Sequence, residues 1–323
     1  MTKTGFLRRL GTVLVTGLLS VSLLAGCGGG GGNGTPEGPK QTKVAPTETF
    51  KYGNHEAKVY ELTGFDLKEK INTFSLAVLE KEIFFQCGKK PLHMGKVTLN
   101  ENDATIADFV DLGECGDNNS IAANDKVAMW QGPSSKMVTY DGKQANINGR
   151  WPGQIITKTG RGGIAGREEF YYLSGKSLNF AKIKDGTIKD NKEIVKNLNT
   201  VSPDFQRVQF FPVSSDETGI YLRCIMNPPG DNRRIPVLVA FDKDGKELHR
   251  YEGVPGGRRD FCVTDKYVVY GDNDGNIRVY DKKSGKLIGD AKVTFRPFAL
   301  CTIKNNEILI YDDINKTLYR VEL

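Results

Sequence analysis

The chain has 323 residues, of which 38% are hydrophobic and 26% charged. That is a globular composition, and it excludes a wholly disordered chain, a collagen-like repeat and a multi-span membrane protein. The formal charge of +6 falls to +3 once Lys3, Arg8 and Arg9 at the amino terminus are set aside, so the balance does not point to nucleic acid.

Residues 1–26 read as a secretory signal peptide. Lys3, Arg8 and Arg9 supply a positive start, and the apolar stretch 10–24 is too short and too interrupted by Gly and Ser to span a bilayer comfortably. The stretch ends in Leu24-Ala25-Gly26-Cys27, which resembles the lipobox of bacterial lipoproteins. The resemblance implies cleavage before Cys27, diacylglycerylation of its thiol and further acylation of the new amino terminus. Two or three acyl chains anchor durably where one holds weakly. The implied location is the bacterial cell envelope, on the outer face of the cytoplasmic membrane or on the outer membrane. Gly28 stands where many lipoproteins retained at the inner membrane carry Asp.

From 28 to 49 the chain is Gly-rich and then Thr-, Pro-, Glu- and Lys-rich, with almost nothing to bury. It reads as a flexible tether reaching roughly 25–30 Å root mean square. The expected organisation is a signal peptide at 1–26, a lipidated Cys and tether at 27–56, and a folded domain at 57–323.

That domain lacks helical periodicity and is full of short β-branched and aromatic runs separated by Gly, Asn and Asp. The clearest unit runs from Phe261 to Ile288 and reads strand, turn, strand, hairpin, strand, turn, strand. Copies of its parts follow at Phe298, Glu307 and Thr317, and precede it at Val237; weaker copies begin near Phe74, Ser120 and Ile164. The turns Asp141-Gly142, Asp185-Gly186, Asp244-Gly245 and Ser284-Gly285 recur 44, 59 and 40 residues apart. The long spacing is assigned to an insertion at 227–234. Four-stranded units of about 40–45 residues are β-propeller blades, and six of about 44 fill 57–323 where five or seven fit poorly. The last unit stops after three strands at Leu323, and residues 58–62 offer the missing outer strand. The predicted fold is therefore all-β, a single propeller of six four-stranded blades closed by an amino-terminal strand, with a pair of β-sandwiches as the runner-up.

At 267–285 the pattern strand, Gly271-x-x-Asp274-Gly275, strand, Asp281-x-x-x-Gly285-Lys286 resembles quinoprotein-type propeller repeats. The tryptophan that closes such repeats is missing, with Asp290 near its place, so no cofactor is implied. Related periplasmic lipoproteins with such propellers act as protein scaffolds, and the resemblance favours that use. A propeller hydrolase of lactonase or glycan-acting type, with its site at the channel mouth, is the alternative from another class. No nucleophile motif appears, and no catalytic residue is assigned.

Gly160-Arg161-Gly162-Gly163-Ile164-Ala165 fits a dinucleotide fingerprint formally, but a strand and not a helix is predicted after it, so it reads as a junction loop. Asp272-Asn273-Asp274-Gly275-Asn276 lacks the glycine and glutamate of a calcium loop and reads as a hairpin turn. His55, His93 and His249 are far apart, and no metal site is expected. Beyond Cys27 there are five cysteines, an odd number with no Cys-x-x-Cys spacing. Cys262 and Cys301 are expected as buried thiols. Cys87 and Cys115 are expected to meet across one blade and form a disulfide.

Arg150, Arg161, Arg207, Arg258, Arg259 and Arg296 fall on or beside the expected blade-to-blade connections, and Arg233 and Arg234 in the inserted loop. Together they are eight of the 13 arginines beyond Arg9. Lys143, Lys246, Lys282, Lys283 and Lys286 fall on the turns of the opposite face. Arginine binds carboxylate and phosphate through a planar fork of donors. The expected function is thus a membrane-anchored binding scaffold whose arginine face takes an anionic envelope protein, glycan or lipid head group.

Overall fold

A computed structural model of the chain describes residues 44–65, 71–100, 103–116, 121–124, 126–156, 169–184, 187–200, 206–227, 230, 234–251 and 259–323. Two strands come first, β1 (Glu48–Tyr52) and β2 (His55–Leu62). Blade 1 is β3 (Ile71–Leu79), β4 (Glu82–Cys87), β5 (Leu92–Asn100) and β6 (Thr105–Cys115). Blade 2 is β7 (Ile121–Ala123), β8 (Ala128–Gln131), β9 (Lys136–Tyr140) and β10 (Ala145–Arg150). Blade 3 is β11 (Gln154–Ile155), β12 (Glu169–Ser174), β13 (Ser177–Lys184) and β14 (Thr187–Val195). Blade 4 is β15 (Gln206–Ser215), β16 (Ile220–Asn227), β17 (Ile235–Phe241) and β18 (Glu247–Tyr251). Blade 5 is β19 (Arg259–Val263), β20 (Tyr267–Asp272), β21 (Asn276–Asp281) and β22 (Leu287–Lys292). Blade 6 begins with β23 (Ala299–Lys304), β24 (Glu307–Asp312) and β25 (Thr317–Glu322). All pairings are antiparallel, apart from an isolated parallel bridge between Thr63 and Thr105. This is a six-bladed β-propeller.

The blades are held by what lies between them. Second strands such as β20 are buried along their whole length, while the outer strand β10 is exposed along most of its length. Because strand side chains alternate, Val268 and Tyr270 face blade 4 whereas Tyr267 and Val269 face blade 6. Six apolar clusters result, each a seam between two neighbouring blades. The seam of Tyr60, Tyr311 and Leu318 with Leu76, Phe85 and Val97 joins blade 6 to blade 1 and closes the ring.

The closing strand is the one the sequence predicted. β2 pairs with β25 in the register Lys58 with Glu322 through Leu62 with Leu318. The sheet also starts earlier than the expected boundary at 57. β1 adds a fifth strand outside β2, with Glu48 opposite Val59 and Tyr52 opposite His55. Phe50 and Tyr52 point inward onto the blade 5 seam, where Tyr52 meets Tyr267 edge-on at 5.2 Å. Gly289 lies under Tyr52, and a Cβ there would collide with it. Two aromatics at alternate positions are enough to order a segment whose composition is otherwise polar.

The first residues of blade 3 also differ from expectation. Its inner strand is β11, at 154–155, and Ile164, near which the sequence places the start of this unit, lies outside the described residues. Arg161 lies within 157–168, outside the described residues. The formal fingerprint at 160–165 also lies outside the described residues.

No disulfide joins Cys87 to Cys115; the five cysteines of the described residues are all buried thiols. The reason is register. Cys87 is opposite His93, and Cys115 is opposite Leu92. His93 and Leu92 are consecutive, so they point to opposite faces of the sheet, and their partners follow them. Cys87 packs in the blade 6–1 seam and Cys115 in the blade 1–2 seam. Mass mapping of unreduced, folded protein is expected to find no bridge between them. A Cys87–Cys115 disulfide would overturn the register of blade 1.

Candidate functional site on the connection face

Strands alternate in direction, so the connections between blades and the turns joining second to third strands share one end of the propeller. This end is the connection face. The turns joining first to second and third to fourth strands form the hairpin face.

The structure distributes the eight predicted arginines unevenly. Arg150 ends β10 and is exposed, next to a register shift in its pairing with β9. Arg234 is exposed just before β17. Arg207 and Arg259 lie at the starts of the inner strands β15 and β19, at this same end. Arg161, Arg233 and Arg258 lie outside the described residues. Arg296, in the connection from β22 to β23, is already engaged: its Nε donates to Asp313 Oδ1 at 2.6 Å, and its guanidinium lies 5.2 Å from the Phe298 ring. At this position the arginine serves the local fold.

Other cations at this end were not singled out from the sequence. Lys89 and Lys90 occupy the turn between β4 and β5, and Lys316 the turn between β24 and β25; all are exposed. Lys89 and Lys90 lie in Gly88-Lys89-Lys90-Pro91, a turn with no carboxylate, whereas Lys316 follows Asp312 and Asp313. The start of β1 is fixed here too. The Thr294 hydroxyl donates to Glu48 Oε2 at 2.8 Å, and its backbone N–H to the same oxygen at 3.3 Å.

The hairpin face is built differently. Lys143, Lys246, Lys283 and Lys286 are exposed on its turns, as expected. Lys282 is not. Its side chain is 6% exposed and its Nζ contacts Asp216 Oδ2 at 2.5 Å, with Asp216 itself 1% exposed. Lys282 also donates to the Thr264 carbonyl at 3.0 Å and sits 5.7 Å from the Tyr221 ring. Asp216 is completed by the Thr218 backbone N–H and hydroxyl and by the Gly219 N–H. This arrangement locks blade 4 to blade 5, and nothing in the local sequence separates Lys282 from the solvated Lys283.

Asp272 is occupied within its own turn. Its Oδ1 accepts the N–H groups of Asp274 and Asn276, and its Oδ2 the Asn276 side-chain amide. Asp312 of blade 6 repeats the device with Ile314 and Asn315. Both are turn-forming carboxylates. An open recess of about 270 Å³ lies on the hairpin face between Asn305, Asn306, Glu307, Glu322 and Leu323. Tyrosines and a thiol packed in the seams are displaced upward by burial. Burial pushes Tyr319 up to about 12 and drives the Cys224 thiol well upward, which makes that thiol a poor nucleophile. Hydrogen bonds from Ser284 hold the Asp281 carboxyl below its usual value.

No protein-family model matches the sequence, and no curated protein matches it. Solved structures do. A structural-genomics protein of unknown function from Bacteroides thetaiotaomicron aligns with a TM-score of 0.50 at 12% identity, over 82% of this chain and 76% of that one. The WD40 β-propeller domain of Doa1 aligns at 0.46 and 11% identity, over 85% of this chain and 97% of that one. BamB from Moraxella catarrhalis aligns at 0.41 and 11% identity, over 77% and 82%. At such identities the likeness concerns the fold alone.

Proposed function

We propose that this chain is a lipid-anchored bacterial envelope protein whose propeller presents its connection face as a binding surface for an anionic partner. The observation that carries the anchor is the positive start, the apolar stretch and Leu24-Ala25-Gly26-Cys27 in succession. What supports the binding surface is the exposure of Arg150 and Arg234 at one end of the propeller, together with Lys89, Lys90 and Lys316. The reading makes the propeller a scaffold: its loops recognise, and its seams only support them.

Cys27→Ser is expected to release the protein from membranes or stop its processing. Fractionation, with mass spectrometry of the mature amino terminus, checks this. A variant that fractionates like the wild type, with no acyl group on the wild-type terminus, would overturn the anchor.

A further inference from the structure

We infer that the connection face is a docking surface for an anionic lipid surface, held toward the bilayer by the point at which the tether leaves the domain. The inference rests on the proposed anchor at Cys27 and names the partner of the face described above. It comes from strand direction. β2 runs from the hairpin face at His55 to the connection face at Leu62, since it pairs antiparallel with β25 and leads on to β3. β1 runs against β2, so it starts at the connection face. Glu48 is fastened there by Thr294, and the Thr47 N–H donates to the Val59 carbonyl at 2.8 Å. The chain therefore enters the propeller at the connection face, beside the outer edge of blades 5 and 6.

The length of chain beyond that point matters. Residues 28–43 separate the domain from Cys27, and 16 residues span at most about 55 Å even when fully extended. A compact domain of this size is roughly 50 Å across. The chain toward Cys27 leaves the propeller from the connection face and not from the hairpin face.

Charge differs between the two ends in the matching sense. On the hairpin face each lysine has a carboxylate in its own turn: Lys143 follows Asp141, Lys246 follows Asp242 and Asp244, and Lys283 follows Asp281. On the connection face the turn of Lys89 contains no acid, nor does Asn148-Gly149-Arg150-Trp151-Pro152, while Lys316 follows Asp312 and Asp313 and the turn of Asp272 and Asp274 carries acids alone. Exposed Lys and Arg side chains close to a bilayer gain about 1 kcal/mol each at an anionic surface. A single lipid anchor restricts where the domain goes, and the basic face then sets how it sits.

The test uses the mature polypeptide without acyl groups, carrying Cys27→Ser and expressed without residues 1–26, so that the anchor cannot dominate. It is floated with phosphatidylcholine vesicles made with and without phosphatidylglycerol. Partitioning onto the anionic vesicles is expected, and it should be lost when about 1 M salt shortens the screening length to about 3 Å. Lys89→Glu with Arg150→Glu and Arg234→Glu is expected to lower partitioning by about tenfold or more. The matched set Lys143→Glu, Lys246→Glu and Lys283→Glu, exposed on the hairpin face, should change it less than about twofold. Thermal melts of both sets confirm that they fold; should the triple variant fail to melt cooperatively, Lys89→Glu alone keeps the comparison with Lys143→Glu. Equal partitioning onto neutral and anionic vesicles would overturn the inference, and so would equal losses from the two sets. Either result leaves acylation of Cys27 standing if the terminal mass shows it. Absence of acylation would instead remove the anchor, whatever the vesicles report.

Discussion

Replacing Lys282 by Met is expected to destabilise the propeller by about 3–5 kcal/mol, because it strands a buried carboxylate. Asp216 is 1% exposed, and its Oδ2 faces Lys282 Nζ at 2.5 Å. Water cannot replace the ammonium without opening the blade 4–5 seam, where Tyr221, Tyr251 and Tyr280 pack. The Lys282 carbonyl is held as well, by the Tyr251 hydroxyl at 2.7 Å. Substitution therefore removes one charge from a framework that stays in place around the other. A domain of this size loses roughly 2–4 °C of melting temperature per kcal/mol, so a fall of about 10 °C is expected. Lys283→Met, one residue on and exposed, should stay within about 0.5 kcal/mol of the wild type. Replacing both partners, Lys282→Met with Asp216→Leu, should cost less than Lys282→Met alone, since no buried charge is then unpaired. Similar melting curves for Lys282→Met and Lys283→Met would show that the ion pair does not hold the seam.

The contrast between those two lysines shows where the sequence stops being informative. Strand alternation, turn residues and spacing are local, and they located blade 5 strand by strand as well as the closing strand opposite β25. Lys282 is buried because Asp216 meets it from 66 residues away, and no local pattern records that meeting. Parity is equally non-local: one step of register between His93 and Leu92 decides whether Cys87 and Cys115 share a face. The inner strands β7 and β11, of three and two residues, are too short to show any period, so no local pattern marks where blade 3 begins. For the candidate site, the sequence singled out the arginines, but it did not separate Arg296, tied to Asp313, from exposed Arg150 and Arg234. Nor did it mark Lys89 and Lys90, whose position depends on which turn lies at which end.

Cutting the amino terminus back in three steps should give three different outcomes. A chain beginning at Val44 keeps every strand of the six sheets, and its melting temperature should match that of the longer chain. A chain beginning at Gly53 loses β1 and with it Phe50 and Tyr52, which are 6% and 2% exposed. Burying such side chains is worth about 1.5–3 kcal/mol each, so this chain should melt well below the first yet remain folded, because β2 still pairs with β25. A chain beginning at Thr63 loses β2. The edge of β25 is then bare, Val59, Tyr60 and Leu62 vanish from the seams on both sides of blade 6, and blade 6 is joined to blade 1 by no strand from the other end of the chain. An open ring with an unpaired edge invites pairing between molecules, so this chain should aggregate or lose cooperative melting altogether. Circular dichroism melts with light scattering separate the three cases. If the chains beginning at Gly53 and Thr63 melted alike, β2 would contribute no closure, and the stability of the ring would have to come from the remaining seams alone.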